Sequence, residues 1–180
     1  MAVAEFMKLL LDDNEYVLMT ALAGLTAEEL HRQPDPDSNP IGWLMWHLSR
    51  TQDRLVAVMH GKEEEWFSGS WYEKFGRDAN PRGRDTGSGQ TPEEVRAFRA
   101  PDVATLIGYY EKVRARTNVF LDELTDADLA RPVQKPGASA TGETVPMTVR
   151  LSDLIRDNAQ HTGQIAYLRG LFRSHGWLDL

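Results

Sequence analysis

Two histidines inside long helical patterns are the side chains best placed to do chemistry. His47 lies beside the apolar stripe of one segment, and His161 lies in line with the core-facing positions of another. Asp157 precedes His161 by one helical turn, and this spacing places the carboxylate and the imidazole on the same face. Because buried polar groups cost several kcal/mol unless they are paired, this inward-facing group needs an explanation.

The residues alone leave two interpretations of this group open. In the first, Asp157 and His161 form an internal hydrogen bond, and a backbone carbonyl pairs separately with His47. In the second, the three side chains hold a metal ion and leave coordination positions open for water or substrate. Two imidazoles and one carboxylate suit Zn²⁺, Ni²⁺ or Fe²⁺ better than Ca²⁺ or Mg²⁺, which prefer shells of oxygen ligands.

The other three histidines have simpler expected roles. His60 and His175 each precede a glycine, where an imidazole complements the negative end of a helix. His31 follows a short predicted helix, and we expect it at the surface. Glu28 and His31 have the spacing of half a di-iron site, but the sequence contains no second Glu-x-x-His, and that architecture needs two.

Apolar periodicity predicts four long helices and almost no strands. The expected helices cover about 1–23, 40–60, 103–124 and 149–174. Asn39 is the expected N-cap of the second helix, with Pro40 at its first position, and Asp102 is the expected N-cap of the third. The stretch 132–146 could include a small hairpin.

These elements predict an all-α fold, a four-helix bundle with a long crossover between helices two and three. A short internal repeat relates residues 25–34 to residues 124–132, and each copy lies between two long helices. We therefore expect one domain over 1–180, made of two related helix–helix units at about 1–60 and 101–175. A crossover rich in glycine and tryptophan, 61–100, joins them.

Composition excludes several classes of function. The 180 residues include no cysteine, which removes disulfides, Cys-zinc sites, iron–sulfur clusters and a cysteine nucleophile. The net charge of −7 argues against a general nucleic-acid-binding surface. No window has about 18 consecutive apolar residues, and the N-terminus lacks the basic start of a signal peptide. We expect a soluble, cytoplasmic protein.

Two segments resemble the signature helices of the DinB-like (damage-inducible) superfamily. They are NPIGWLMWHL, from Asn39, and DNAQHTGQIAYLRG, from Asp157. The resemblance covers essentially the whole chain. Within the superfamily, the chain is similar to the YfiT-like metalloenzymes and to the N-terminal domain of mycothiol-dependent maleylpyruvate isomerase. It implies a bundle of DinB type with a divalent metal, zinc or nickel, bound by His47, Asp157 and His161. Many members have three histidines, whereas the maleylpyruvate isomerases have a carboxylate where this chain has Asp157.

The resemblance also implies a chemistry. Members of the superfamily include transferases and isomerases that use a low-molecular-weight thiol such as mycothiol or bacillithiol. A thiol bound to a metal is deprotonated and becomes nucleophilic, and a chain without cysteine must take that thiol from a cosubstrate. A metal-dependent thiol S-transferase is therefore the first expectation. A metal-dependent hydrolase and a non-catalytic, stress-related ligand-binding protein are the alternatives.

Several neighbouring side chains are candidates for the surroundings of this centre. Thr51 and Gln164 are expected to orient the ligands. Trp43 lies one turn from His47, and Trp66 and Trp71 of the crossover could shield a pocket, or simply anchor the crossover to the bundle.

The expected partner is a small-molecule substrate, with no nucleic acid or membrane, and the resemblance also suggests a homodimer. Arg50, Arg54, Arg156 and Arg169 flank the site helices, where they could contact an anionic substrate or form solvated ion pairs.

Overall fold

Eight α-helices and one short hairpin make up the computed structural model in the residues it describes, which are 2–79, 86–135 and 142–174. The four long helices are α1 (Val3–Leu22), α3 (Ile41–His60), α7 (Val103–Glu123) and α8 (Met147–Arg173). The short helices are α2 (Ala27–His31), α4 (Glu65–Ser68), α5 (Trp71–Lys74) and α6 (Pro92–Ala97). A 3-10 helix (Asp126–Ala130) precedes strands β1 (Pro132–Gln134) and β2 (Thr144–Pro146), which pair antiparallel.

The direction of the long helices explains why the chain needs a long crossover. The α3 residue Gln52 bonds to Thr117 of α7, and farther along both helices His60 bonds to Glu123. Consequently α3 and α7 run in the same direction, and the chain must return along the bundle to start α7. A helix of 20 residues is about 30 Å long, so a short turn cannot make this connection.

The other two long helices run in the opposite direction. On α1, Lys8 pairs with Asp122 near the end of α7, whereas Asp12 pairs with Arg114 nearer its start. At the far end of α1, the carbonyl of Ala21 accepts a hydrogen bond from the last turns of α8. Each helix thus has one parallel and one antiparallel neighbour, with α8 antiparallel to α3.

Buried apolar side chains form two clusters, one in each half of the bundle. The cluster beside the crossover is rich in aromatic rings and includes Trp43, Trp46, Trp66, Trp71 and Tyr109. The cluster beside the hairpin is mostly aliphatic and includes Met7, Leu11, Phe120, Met147 and Leu151. The amino-terminal half of α3 therefore lies among aromatic rings, and its polar side chains are mostly buried there.

A buried carboxylate attaches the start of the crossover to the bundle. Asp53 Oδ1 accepts from the backbone N–H of Glu65 at 2.8 Å, and Oδ2 accepts from that of Trp66 at 2.8 Å. The same Oδ2 accepts from the Tyr109 hydroxyl at 2.7 Å and from Arg50 Nη1 at 3.3 Å. One side chain of α3 thereby holds α4 and α7 together.

The guanidinium group of Arg50 completes this anchor. It is almost fully buried, donates to Glu64 Oε2 at 2.8 Å and lies 4.6 Å from the centre of the Trp66 ring. A buried charge persists only where it is paired and hydrogen-bonded, as it is here. Arg50 therefore has a structural role, which the sequence left undecided.

The predicted all-α class is confirmed, and the differences lie at element ends. Asp102 caps α7 by accepting from the backbone N–H of Thr105 at 2.7 Å, as predicted. The prediction for α3 was wrong by one residue: Pro40, with extended backbone, occupies the N-cap in place of Asn39. Pro40 has a ψ of 161°, so Ile41 is the first residue with helical backbone.

The hairpin expected within 132–146 is present as β1 and β2. The division of the chain into two related helix–helix units stays a prediction. Across the described ranges, no helix is both long enough and apolar enough to cross a membrane.

The Asp53 anchor predicts a large loss of stability in a single variant. Asp53→Ala removes the acceptor of four hydrogen bonds and one carboxylate partner of the buried Arg50. We therefore expect the free energy of unfolding to fall by about 3–5 kcal/mol. Urea denaturation followed by tryptophan fluorescence measures it. Asp13→Ala, at an exposed position of α1, is the control and should change stability by no more than about 0.5 kcal/mol. Equal losses in the two variants would contradict the anchor.

Candidate metal centre

Side chains from α3 and α8 converge where these antiparallel helices pack. His47 lies in the second turn of α3, and Asp157 and His161 lie in the middle of α8. One potential ligand atom from each residue lies within 4.8 Å of the other two. Asp157 Oδ1 is 3.9 Å from His47 Nε2 and 3.5 Å from His161 Nε2. The three residues predicted from the sequence are therefore brought together.

The spacing of these atoms fits a first-row divalent ion. Ligands about 2.0–2.1 Å from a tetrahedral metal lie about 3.4 Å from one another. The two distances to the carboxylate are close to that value, and no pair is wider than 4.8 Å, so an ion would require the ligands to close by at most about 1.4 Å. Two nitrogen donors and one oxygen donor also match the ligands that zinc and nickel accept.

Hydrogen bonds on the outer ring nitrogens orient both imidazoles. His47 Nδ1 donates to the backbone carbonyl of Thr86, and His161 Nδ1 donates to Gln164 Oε1 at 2.7 Å. A proton on Nδ1 leaves the lone pair on Nε2, the atom that faces Asp157. Metal-bound histidines almost always carry such a partner on the other nitrogen, because it fixes the tautomer and the ring orientation. Gln164, which was predicted to orient the ligands, makes one of these contacts, and its effect on metal binding stays a prediction.

The electrostatic surroundings of the two histidines differ. Burial lowers the pKa of His47, although the Thr86 carbonyl and Asp157 oppose this shift. Burial also acts to lower the pKa of His161, but the hydrogen bonds to Asp157 and Gln164 outweigh it and the pKa is raised. His47 is thus held as a neutral imidazole, and the α8 pair attracts positive charge, whether a proton or a metal ion.

One side of the group is open. The side chain of His47 is 9% exposed, whereas Asp157 and His161 are 23% and 17% exposed. Asp157 and His161 are therefore partly accessible from solvent at the surface where α3 and α8 meet, which is called the α3–α8 groove below.

Trp43 closes the opposite side. Its ring stacks on that of His47, with centroids 4.8 Å apart and an angle of 7° between the planes. Its indole Nε1 donates to Gln90 Oε1 at 2.7 Å. The tryptophan therefore shields the imidazole from water and is itself fixed by the end of the crossover.

A tight segment of the crossover makes these contacts. Gly87 has φ +87°, and an added Cβ would lie 2.7 Å from ring atoms of Trp43 and Trp46. Only glycine allows both that backbone conformation and that approach. The segment 86–90 therefore packs directly on the aromatic rings. This packing places the Thr86 carbonyl within hydrogen-bonding distance of His47 Nδ1.

The other predicted site residues lie elsewhere. Trp66 and Trp71 pack their rings against Tyr109, so their observed role is to anchor the crossover. The Thr51 hydroxyl, one turn after His47, is buried and has no hydrogen-bond partner among the described residues.

The remaining histidines have structural partners or lie outside the described residues. His31, expected at the surface, is half-buried, and its Nε2 accepts from the backbone N–H of Ala100 at 3.1 Å, which ties α2 to the end of the crossover. His60 pairs with Glu123 at the end of α3. His175 lies outside the described residues.

Sequence reasoning missed three contributors to the site. Thr86 and Gln90 act from within a glycine-rich run, TGSGQ, whose two glycines were the available signal. The third is Gln52, whose fully buried amide connects α3 with Asn158 of α8, the neighbour of Asp157. No local pattern marks this amide as buried.

Fold and site together define a helical-bundle protein with a candidate metal centre between two antiparallel helices. The sequence model of the DinB superfamily matches residues 10–165. The chain therefore belongs to the DinB superfamily. A solved structure, the crystal structure of the conserved protein of locus from Enterococcus faecalis, is 28% identical and superposes with a TM-score of 0.83. The match covers 97% of this chain and 99% of that chain. No curated protein matches.

The contact between Gln164 and His161 predicts a change in metal affinity. Gln164→Ala removes the acceptor for Nδ1 and frees the ring to rotate, so we expect zinc affinity to fall about tenfold or more. Competition with a chromophoric chelator measures it. The matched control is Gln160→Ala, at an exposed position one turn earlier on α8, which should leave the affinity unchanged. Equal affinities in both variants would show that Gln164 does not orient the ligand.

Proposed function

We propose that this protein is a divalent-metal-dependent enzyme that activates a low-molecular-weight thiol, with His47, Asp157 and His161 as the metal ligands. The observation that carries the proposal is the convergence of these three donors from two helices, with one side open to solvent. Zinc or nickel suits this donor set. Membership of the DinB superfamily supports the same conclusion.

The chain's own residues supply binding and orientation. His47 and His161 present Nε2 because Thr86 and Gln164 accept from Nδ1, and Asp157 adds one negative charge. A bound divalent ion would lower the pKa of a thiol at the open position, so that the sulfur is a thiolate at neutral pH. Trp43 excludes water from the far side of His47.

The thiol must come from a second molecule, because the chain has no cysteine. In the proposed transfer the sulfur forms a bond to an electrophilic carbon, and the bond from that carbon to its leaving group breaks. The leaving group departs with the electron pair, and the thiol proton passes to solvent. The groove between α3 and α8 is where the two substrates meet.

Metal binding is tested on untagged protein, since a histidine tag would bind metal itself. We expect about one equivalent of zinc or nickel by elemental analysis, and a loss of at least tenfold in affinity in His47→Ala and in His161→Ala, with the helical circular dichroism unchanged. The control is His60→Ala, which removes an imidazole outside the group and should retain the metal. Protein that binds no metal, or that loses it equally in all three variants, would contradict the centre.

A panel of thiols with chlorodinitrobenzene tests the transfer. We expect turnover by metal-loaded protein that depends on thiol and is abolished in His161→Ala. Hydrolysis of an ester or amide without thiol would replace the proposal with a metal-dependent hydrolase. Ligand binding without turnover of any substrate would favour a non-catalytic binding protein.

A further inference from the structure

Two arginines occupy matching positions on α3 and α8, two turns beyond the candidate metal centre. Arg54 follows His47 by seven residues on α3, and Arg150 precedes Asp157 by seven residues on α8. Seven residues are about two helical turns, so each arginine lies on the same face as its ligand, about 10 Å along the helix. Because α3 and α8 are antiparallel, both arginines are displaced from the centre in the same direction.

The carboxylates that pair with these arginines are too few to neutralise their positive charge. Arg150 is 5% exposed; its Nη1 donates to Asp153 Oδ2 at 2.7 Å, but its Nε is buried without a hydrogen-bond partner in the described ranges. Asp153 is shared with Arg156, which bonds its other oxygen at 2.7 Å. Arg54 is half-buried and makes no hydrogen bond or ion pair with any residue the structure describes. Arg150 and Arg156 thus share one carboxylate, and Arg54 pairs with none among the described residues.

The charges are close enough to affect one another. Burial lowers the pKa of Arg150, Asp153 opposes that shift, and the nearby Arg54 and Arg156 lower the pKa further. Like charges in a partly desolvated groove repel, and an arginine without a partner there costs stability. An anion bound between the two guanidinium groups would remove this cost, because guanidinium binds carboxylate through paired, charge-assisted hydrogen bonds.

The other arginines near the site are already engaged. Arg50 is held by Asp53 and Glu64 within the crossover anchor. Arg169 donates to the backbone carbonyls at the end of α1.

We propose that Arg54 and Arg150 form an anion-binding subsite for the carboxylate of a molecule whose other end, a thiol, reaches the metal centre. This inference rests on the proposed function and adds the substrate class: a thiol that also carries a carboxylate, with its two ends separated on the order of the 10 Å offset along the helices. The distance between the two ends selects the length of the molecule. The arginine pair selects its charge.

The test compares two thiols of equal chain length, one ending in a carboxylate and the other in an uncharged alcohol. The probes are 8-mercaptooctanoate and 8-mercaptooctan-1-ol, whose extended length matches the spacing along the groove. Titration into cobalt-loaded protein, followed by sulfur-to-cobalt absorption, gives both affinities. We expect a preference for the carboxylate of about tenfold or more, which Arg54→Gln abolishes without changing the affinity for the alcohol. The control Lys112→Gln, which removes a positive charge from an exposed position of α7, should keep the preference.

A second measurement does not depend on the metal. Metal-free protein should melt at a higher temperature in sodium sulfate than in sodium chloride of equal ionic strength, and Arg54→Gln should reduce this rise while Lys112→Gln does not. Without sulfate, Arg54→Gln should melt no lower than the unsubstituted protein, because the substitution removes repulsion. A carboxylate preference that survives in Arg54→Gln, or a lower melting temperature of that variant without sulfate, would overturn the subsite. Failure to bind cobalt would instead refute the metal centre, and the sulfate comparison would still decide the subsite.

Discussion

A single buried amide sets the register of the helices that carry the site. Gln52 accepts from Asn158 Nδ2 at 2.8 Å and donates to Thr117 Oγ1 at 2.9 Å, so that α3, α7 and α8 meet at one fully buried side chain. Apolar surfaces alone tolerate a slide along the helix axis, but a slide of one turn would break both bonds and leave the amide unpaired in the core. Because Asn158 adjoins Asp157, the same bond fixes the height of the carboxylate relative to His47.

The site also depends on the topology of the bundle. Since α3 and α7 are parallel, the chain has to cross over, and the crossover is fixed near its beginning by Asp53 and at its end by the bond between Ala100 and His31. Between these points it supplies the Thr86 carbonyl that orients His47. A connection required by helix direction therefore also completes the candidate metal centre. This arrangement explains why the non-helical segment 86–90 packs closely on the rings of Trp43 and Trp46, an approach that Gly87 allows.

The sequence predicted the parts of this structure that local patterns encode. Helical periodicity predicted the long helices, and the four-residue spacing of Asp157 and His161 placed these two on one face. The position of His47 beside the apolar stripe of its helix made it the third candidate, and the family resemblance assigned all three as metal ligands. The glycines beside Thr86 indicate a tight segment, but they do not identify Thr86 itself, because it acts through a backbone carbonyl that every residue has. Gln52 and Asp53 could not be predicted either, since their partners lie far away in sequence and a polar residue in an amphipathic helix is more often exposed. His31 was expected at the surface for the same reason.

The charge of the groove is opposite to that of the protein. The chain carries a net charge of −7, yet along the open side of α3 and α8 the guanidinium groups of Arg54, Arg150 and Arg156 outnumber the carboxylates of Asp153 and Asp157. An acidic surface repels anions over most of the molecule, and low-dielectric walls strengthen the local positive field within the groove. Anionic small molecules should thus concentrate beside the centre rather than elsewhere on the protein. Many family members have a neutral histidine where this chain has Asp157, and the carboxylate would lower the net charge of a bound metal and its ligands. The nearby arginines would restore the attraction for anions that this carboxylate reduces.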